Sequence, residues 1–212
     1  MKKKVIAIII ALLVGAVGLF LWQTKVFAPK TAKEEVKQEE KSGPVRSELT
    51  GLETTAAKAK RPITAVMVEN SPEARPQSGL KDAGVVFEAV AEGGITRFVA
   101  LYQEAQPDLI GPVRSIRPYF VEWAAGFDAG LAHVGGSELA LDMVKSGDYV
   151  ADLDQFKAPE GIFWRSEDRV APHNMYTKMS GLDKYMAKLD KKKSDFQSWD
   201  RQALKSDTTE SD

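Results

Sequence analysis

An uncharged run of eighteen residues near the start of the chain, Val5 to Trp22, constrains its organisation more than any other feature. Its length is close to the roughly 20 apolar residues that a helix needs to span a bilayer. Lysines occupy positions 2–4, and basic residues beside such a helix stay in the cytoplasm. The run therefore predicts a single-pass anchor at residues 5–22, a cytoplasmic tail at residues 1–4 and an extracytoplasmic remainder.

A cleaved signal peptide is the alternative interpretation of this run. Val26 and Ala28 have the spacing of a cleavage site, but Pro29 would follow the cut. The run is also longer than the ~7–15 apolar residues of a typical signal-peptide core. The anchor is therefore the favoured interpretation, and both interpretations place the remainder outside the cytoplasm.

The sequence contains no cysteine. Disulfide bonds, thiolate metal ligands and a cysteine nucleophile are therefore excluded. The lipid-modified cysteine of a bacterial lipoprotein is excluded as well. We therefore expect the apolar run to provide the attachment to the membrane.

Composition divides the rest of the chain into three parts. Residues 29–60 are charged and poor in large apolar side chains, so they predict a flexible linker. Residues 61–189 predict the folded domain, and residues 190–212 predict a polar tail. The predicted domain carries 13 basic and 18 acidic residues, a net charge of −5. Because nucleic-acid-binding domains usually present a basic surface, we expect no nucleic-acid partner.

Apolar segments of two kinds alternate along the predicted domain. Short β-branched segments predict strands, and longer ones with one apolar face predict helices. Strands are expected at 63–68, 84–90, 95–103 and 129–136, and helices from Ser115 to Phe127, Ser137 to Gly147 and Ser180 to Leu189, with Ser115 and Ser137 as caps. Gly93 and Gly94 suit a hairpin turn. The expected fold class is α/β, a mixed sheet with flanking helices in a single compact domain after the N-terminal transmembrane helix.

The segment Gly111 to Phe120 places Arg114 and Arg117 between two prolines, with no acid nearby along the chain. The two arginines flank the start of the expected helix, where cations are unfavourable. We therefore predict that they share a negative group, either a protein carboxylate such as Glu88 or Glu92, or a ligand.

Further arginines, Arg75, Arg165 and Arg169, lie in loops rich in glycine, proline and polar residues. The planar guanidinium group suits carboxylates and phosphates, and loops on a rigid scaffold often carry binding residues. The same arginines can instead brace long loops by bonding carbonyl groups. The sequence leaves both interpretations open.

The two histidines, His133 and His173, are candidate general bases near neutral pH. Ser137 follows His133 by four residues, so the pair could support nucleophilic catalysis, although the G-x-S-x-G spacing is absent. A capped helix is the simpler interpretation of Ser137. The spacing of potential ligand residues and glycines indicates neither a zinc site nor a nucleotide-binding loop. We therefore expect neither a metal nor a cofactor.

Glu88 and Glu92 lie four residues apart near the end of a predicted strand. Side chains an even number of residues apart share one face of a strand, so the two acids could work as an acid–base pair or hold a cation. A solvated sheet face is the alternative. Arg97, across the predicted hairpin, could then pair with one of them.

Four segments in this order resemble the N-terminal domain of the YerB-like family of bacterial envelope proteins. They are residues 61–103, 110–120, 133–137 and 163–177. The family's members are usually lipoproteins, and their molecular function is not established. The resemblance implies an α/β domain followed by a second domain, which we expect to be absent here because the chain stops at Asp212. It also implies that the apolar run replaces the lipid anchor.

The resembling segments coincide with the loops described above, so the resemblance implies a common cleft. The residues concerned are Arg75 with Gln77 and Ser78, Glu92 with Gly93 and Gly94, Arg114 with Arg117, His133 with Ser137, and His173 with Asn174. The family has no accepted catalytic residues that could be carried over to this chain.

We therefore expect an extracytoplasmic domain that binds a cell-envelope component bearing phosphate or carboxylate groups. The expected ligand-binding residues are Arg75, Arg97, Arg114, Arg117, Asn174, Glu88 and Glu92, with His133 and His173 placed for hydrogen bonding or proton transfer. The first alternative is a hydrolase or transferase acting on envelope polymers, with a histidine as base and Ser137 or water as nucleophile. The second is a structural or partner-binding module, whose protein partner the sequence does not name.

Overall fold

The computed structural model describes residues 45–201. In chain order its elements are β1 Val45–Arg46, β2 Glu53–Thr54, α1 Ala56–Ala59, β3 Thr64–Glu69, β4 Val85–Val90, β5 Thr96–Tyr102, α2 Pro118–Ala125, β6 Gly130–His133, α3 Glu138–Ser146, β7 Ala151–Asp154, β8 Phe163–Arg165, β9 Met175–Thr177 and α4 Met179–Lys188. Within these residues no helix is both long enough and apolar enough to cross a membrane. The predicted anchor and cytoplasmic tail lie outside the described residues.

A five-stranded mixed sheet in the order β4-β5-β3-β6-β7 forms the centre of the domain. Strand β3 pairs antiparallel with β5 and parallel with β6, and β6 pairs parallel with β7. Every residue of β3 is buried, as expected for a strand covered on both faces. Because β3, β6 and β7 run in one direction, their last residues, Glu69, His133 and Asp154, lie along one edge of the sheet. We call this the carboxyl edge.

Helices cover both faces of the sheet. Ala65 and Met67 of β3 pack in one core with the buried residues of α2 and α3. The alternate residues Val66 and Val68 pack in a second core with Leu182 and its neighbours in α4. This alternation follows from the two-residue period of a strand. The predicted mixed sheet with flanking helices is confirmed.

The hairpin between β4 and β5 turns at the short 3-10 helix Glu92–Gly94. Gly93 and Gly94 adopt φ values of 62° and 75°, a region that favours glycine. Arg97 of β5 lies in register with Glu69 at the end of β3, so the turn projects beyond the carboxyl edge. The predicted hairpin at the two glycines is confirmed.

Helix α2 begins two residues later than predicted. Its N-cap is Arg117, whose backbone is extended (φ −131°, ψ 158°), and Ser115 does not cap it. Pro118 disfavours a helical conformation in the residue before it. Ile116 is fully buried, and its N–H donates to the carbonyl of Gly135 (3.0 Å). The residues before Arg117 therefore cross the carboxyl edge as an extended segment.

The folded region extends beyond the predicted limits of 61–189 at both ends. Residues 45–60, predicted as linker, form β1, β2 and α1, and Leu49 is fully buried in the core. After α4, Ser194 Oγ accepts the N–H of Ile63 (2.8 Å), and the ring of Phe196 packs against another core ring. A few long-range contacts thus fold segments whose average composition is polar. Residues 29–44 of the predicted linker and residues 202–212 of the predicted tail lie outside the described range.

Candidate functional site at the carboxyl edge

The extended segment before α2 joins the ends of two parallel strands. The N–H of Arg114 donates to the carbonyl of Met67 in β3 (3.0 Å). The N–H of Val134, just after β6, donates to the carbonyl of Arg114 (3.1 Å). Arg114 is thereby held at the carboxyl edge, which is where open α/β sheets usually bind their ligands.

Glu69 organises the first group of side chains at this edge. Its side chain is 5% exposed, and its Oε1 lies 3.1 Å from Nε of Arg114 and 3.0 Å from Nδ1 of His173. The same oxygen accepts a hydrogen bond from Ser71 Oγ (3.1 Å). A buried carboxylate is costly unless it is paired, so these contacts stabilise its charge. We call Glu69, Ser71, Arg114 and His173 the Glu69 cluster.

His173 lies in the loop before β9 and has one nitrogen available. Nδ1 lies 3.0 Å from Oε1 of Glu69, without the geometry of a hydrogen bond. Because Ser71 donates its own proton to Glu69, its Oγ can only accept from Nδ1. Ser71 Oγ lies 3.3 Å from the same nitrogen. Within residues 45–201, Nε2 makes no hydrogen bond, and the side chain is 23% exposed. Nε2 can therefore meet a ligand.

The guanidinium group of Arg114 is also only partly used. Its Nε faces Glu69 without the geometry of a hydrogen bond, and the side chain is 27% exposed. Its two terminal nitrogens are not buried and have no partner in the part of the chain that the structure describes. The terminal nitrogens of Arg114 can therefore donate hydrogen bonds to a ligand while its Nε stays beside Glu69.

Glu92, in the β4–β5 turn, holds two further arginines. Arg97 Nη2 donates to Oε2 of Glu92 (2.6 Å), and Arg117 pairs with Oε1. Burial by itself would raise the pKa of Glu92, but the hydrogen bond from Arg117 and the charges of both arginines lower it below its usual value. We call these three residues the Glu92 cluster. Arg117 and Arg114 thus face two different protein carboxylates, so the prediction that they share one protein carboxylate is wrong, whereas a shared ligand stays a prediction.

Arg75 and Glu88 meet at Asn70, just after β3. Arg75 donates from Nε to the side-chain oxygen of Asn70 (3.0 Å) and from Nη2 to its carbonyl (3.1 Å). The amide of Asn70 donates to Glu88 (3.1 Å) and to Thr96 (2.7 Å). These exposed contacts brace the loop after β3 against the hairpin. They support a structural role for Arg75 and Glu88 more than a ligand-binding one.

His133 lies outside both clusters. It is fully buried, with Nδ1 3.0 Å from the carbonyl of Gly135 and Nε2 2.9 Å from Oδ1 of Asp152. Both ring nitrogens thus lie within hydrogen-bond distance of a protein oxygen. Burial alone would raise the pKa of Asp152, but hydrogen bonds from His133 and Lys157 lower it below its usual value. With both nitrogens bonded, the geometry does not favour His133 as a general base.

The two other predicted site residues, Ser137 and Asn174, have local surroundings of their own. Ser137 is the N-cap residue of α3, yet its buried Oγ has no hydrogen-bond partner among the described residues. Asn174 accepts from Arg165 (2.7 Å) and donates to two backbone carbonyls of its own loop (3.0 and 3.2 Å). Asn174 therefore braces the loop that presents His173.

A groove of about 620 Å³ lies elsewhere, near the start of β7. Its lining is charged with both signs and includes Lys145, Lys157, Asp128 and Asp152. It contains no member of the Glu69 or Glu92 cluster. In the described range, no three His, Asp or Glu side chains are grouped so that they could hold a metal ion. None of the predicted site residues lines this groove.

Two members of the Glu69 cluster, Glu69 and Ser71, were not predicted from the sequence. The signal that could have found them is an acid at the end of a fully apolar strand, followed at once by polar residues. In α/β sheets, residues that follow such strands often line a binding site.

Comparisons with known proteins agree with the resemblance inferred from the four segments. The family model "Protein of unknown function (DUF3048) N-terminal domain" matches residues 49–193. A Bacillus subtilis (strain 168) protein described as "Putative lipoprotein YerB" is 42% identical over 164 residues, which are 76% of this chain and 46% of that protein. The crystal structure of the YerB protein from Bacillus subtilis matches with a TM-score of 0.68 and 39% identity, over 73% of this chain and 52% of that one. This chain thus spans about half the length of these relatives.

Proposed function

We propose, on the premise that this chain belongs to the DUF3048 N-terminal domain family, that it is a membrane-attached extracytoplasmic protein that binds an anionic cell-envelope ligand. Similarity to a protein described as a lipoprotein supports a membrane-associated location in the envelope. Because this chain contains no cysteine, the apolar run at residues 5–22 takes the place of a lipid anchor. The ligand's anionic groups are phosphates or carboxylates, which suit arginine.

The observation that carries this proposal is that Arg114 and His173 share Glu69. Each has one nitrogen about 3 Å from the same carboxylate oxygen, so Glu69 holds both groups at this place. An anion at this place would accept charge-assisted hydrogen bonds from Arg114, which are about twice as strong as neutral ones. His173 Nε2 adds a donor when the ring is protonated. Because Glu69 orients both groups in advance, little ordering is needed on binding.

Local charge also favours an anion at the carboxyl edge. In the Glu69 and Glu92 clusters together, three arginines and His173 face two carboxylates, although residues 61–189 together carry a net charge of −5. Such a local site suits one anionic ligand and not an extended nucleic-acid surface.

The test is titration of the purified full chain with envelope glycopolymer fragments that carry phosphodiester or carboxylate groups. A neutral glycan of equal length is the ligand control. Arg114→Ala is expected to weaken binding at least about tenfold, because charge-assisted hydrogen bonds are lost. Arg46→Ala is the matched variant, since Arg46 lies in β1, away from the carboxyl edge, and pairs there with Glu53. It is expected to bind like the wild type.

Two outcomes of this titration contradict the proposal. Equal binding by the wild type and by an Arg114→Ala/Arg117→Ala double variant would show that these arginines do not bind the ligand. A lower melting temperature of Arg114→Ala with unchanged binding supports the structural alternative, in which the arginines only brace loops. Melting curves of each variant therefore accompany the titration.

A hydrolase or transferase is a second candidate, and the geometry of His173 favours it. Nδ1 faces Ser71 and Glu69, so Nε2 is the nitrogen that can accept a proton from a nucleophile. Arg114 lies beside it and can stabilise negative charge that develops on the substrate. The nucleophile in this mechanism is water, because the hydroxyl of Ser137 is buried and has no histidine partner among the described residues.

Turnover of envelope polymers by His173→Gln tests this second candidate. General base catalysis contributes about 10²- to 10⁴-fold, so the variant is expected to lose at least about a hundredfold in rate. Arg46→Ala is again the control and is expected to keep the full rate. Full turnover by His173→Gln rejects the enzymatic candidate. If the wild type binds the polymer without turning it over, only the binding function is supported.

A further inference from the structure

We infer that Arg97 and Arg117 form a second anion subsite, in which the carboxylate of Glu92 occupies the place of a phosphate group of the ligand. The inference rests on the proposed function only for the location of the ligand at the carboxyl edge. It adds that the ligand carries at least two anionic groups. One is bound by Arg114 in the Glu69 cluster, and the other displaces Glu92.

Both arginines of this subsite are oriented by groups other than Glu92. Arg97 Nη1 donates to the carbonyl of Ser115 (3.0 Å), and Arg117 Nη1 donates to that of Ile116 (2.5 Å). Their side chains are largely buried, so neighbouring residues restrict their movement. The donors that face Glu92 therefore keep their positions when its carboxylate leaves. Donors that are ordered in advance bind a ligand at a lower entropic cost.

Glu92 is the least constrained member of the cluster. Its side chain is 57% exposed and belongs to the turn Glu92–Gly94. In the described structure, no neighbouring heavy atom lies within 4 Å of the position that a Cβ would take at Gly93 or Gly94. Glycines at positive φ also have other backbone conformations open to them. The carboxylate can therefore move off both arginines without repacking the core.

Charge balance favours a phosphate group in this subsite. One carboxylate faces the guanidinium groups of Arg97 and Arg117, so one positive charge is left uncompensated. Burial lowers the pKa of Arg97, and the nearby charge of Arg117 lowers it further. A phosphomonoester carries about −1.5 to −2 charges at pH 7 and offers three acceptor oxygens. It therefore compensates two guanidinium groups better than Glu92 does.

The second subsite adjoins the first. Arg114 and Arg117 belong to the same extended segment, and the charges of Arg114 and Glu69 both act on Arg97. A ligand that carries two phosphomonoester groups can therefore bind Arg114 with one group and the Arg97–Arg117 pair with the other.

Inorganic phosphate is the probe that tests this subsite. It is titrated into the full chain while the side-chain Nε–H signals of Arg114 and Arg117 are followed by NMR, one signal for each subsite. Glu92→Gln and Glu92→Ala are expected to tighten phosphate binding at Arg117 by about 10- to 100-fold, because the competing carboxylate is removed. The gain is expected to vanish when Arg97→Ala is added to Glu92→Gln.

The matched control is Glu122→Gln, which removes an exposed acid of α2. Glu122 makes no ion pair among residues 45–201, so both arginine signals are expected to respond as in the wild type. The inference is overturned if folded Glu92 variants, checked by circular dichroism, bind phosphate at Arg117 no more tightly than the wild type. A response of Arg114 in that experiment still supports the proposed function. A response confined to Arg117 in the Glu92 variants supports the second subsite. It contradicts the part of the proposed function in which Arg114 binds the ligand.

Discussion

His133 and His173 both face a carboxylate, yet they differ in the number of nitrogens left available. His133 is fully buried, and its two nitrogens bond Asp152 and the carbonyl of Gly135. His173 is partly exposed and uses only Nδ1, which faces Glu69. The first histidine links strands β6 and β7, whereas the second presents Nε2 at the surface.

This difference teaches that a carboxylate partner alone does not distinguish a structural histidine from a functional one. What distinguishes them is the second nitrogen and its exposure. A histidine with both nitrogens bonded to protein acceptors can contribute stability but cannot take a proton from a ligand. A histidine held by one nitrogen has its orientation fixed and its other nitrogen ready for a ligand.

The largest expected effect is the loss of stability in His133→Ala. Removing one partner of a buried hydrogen bond costs about 1–3 kcal/mol, because the group left behind loses its partner. His133→Ala removes both hydrogen bonds of a fully buried ring, while Lys157 still contacts Asp152 (2.6 Å), so we expect a loss of about 3 kcal/mol in the free energy of unfolding. Urea denaturation followed by circular dichroism measures this loss.

The matched variant is His173→Ala. Glu69 keeps Ser71 and Arg114 as partners in this variant, so we expect a loss of only about 1 kcal/mol. Equal losses in the two histidine variants would contradict the division into a structural and an available histidine.

A smaller effect is expected when the pH is lowered. The pKa of Asp152 in the folded chain is shifted down: burial opposes this, and hydrogen bonds from His133 and Lys157 outweigh it. Such a carboxylate stabilises the fold above its unfolded pKa of 3.8, and the contribution is lost as the pH falls through the folded pKa. The stability of the wild type relative to Asp152→Asn should therefore be largest above about pH 5 and shrink below about pH 4.

Urea denaturation of the wild type and of Asp152→Asn at a series of pH values checks this dependence. A stability difference that stays constant from about pH 6 to pH 3 would show that Asp152 stabilises the fold by packing and not through its charge. His173→Ala, measured over the same range, serves as the control because it leaves Asp152 and its partners unchanged.

The smallest effects concern the two serines associated with the histidines. Ser71 is buried and donates to Glu69, so Ser71→Ala is expected to lose about 1 kcal/mol of stability. Ser137 makes no capping hydrogen bond, so Ser137→Ala is expected to stay within about 0.5 kcal/mol, whereas a bonded N-cap serine loses about 1. Thermal denaturation measures both variants. A larger loss of stability for Ser137→Ala than for Ser71→Ala would show that Ser137, and not Ser71, makes the stabilising hydrogen bond.

Much of the fold was predictable because its signals are local. The helix expected from Ser137 to Gly147 is Glu138–Ser146, and the one expected at 180–189 is Met179–Lys188. The turn at Gly93 was also correct. Strands β1, β2 and β7 to β9 were missed because they are short and each contains polar or charged residues, so no apolar run marks them.

The site was predictable by residue type and not by pairing. Arg75, Arg114, Arg117 and His173 were identified from their loops, and the structure places them near the carboxyl edge of the sheet. Glu69 was missed although both Arg114 and His173 depend on it. The role expected for His133 finds no support in its geometry, since nothing in its sequence surroundings indicates that its second nitrogen is bonded.

The sequence by itself determined the α/β class, the order of the main elements and the family to which the chain belongs. These properties depend on periodic burial and on turn residues, which act over a few positions along the chain. Only the tertiary structure decided which carboxylate each cation meets. Ser71 and His173 lie 102 residues apart along the chain, and Arg117 lies 25 residues from Glu92. Such contacts depend on how distant strands and loops are brought together in the fold, and a local pattern of residue types does not determine which of them meet.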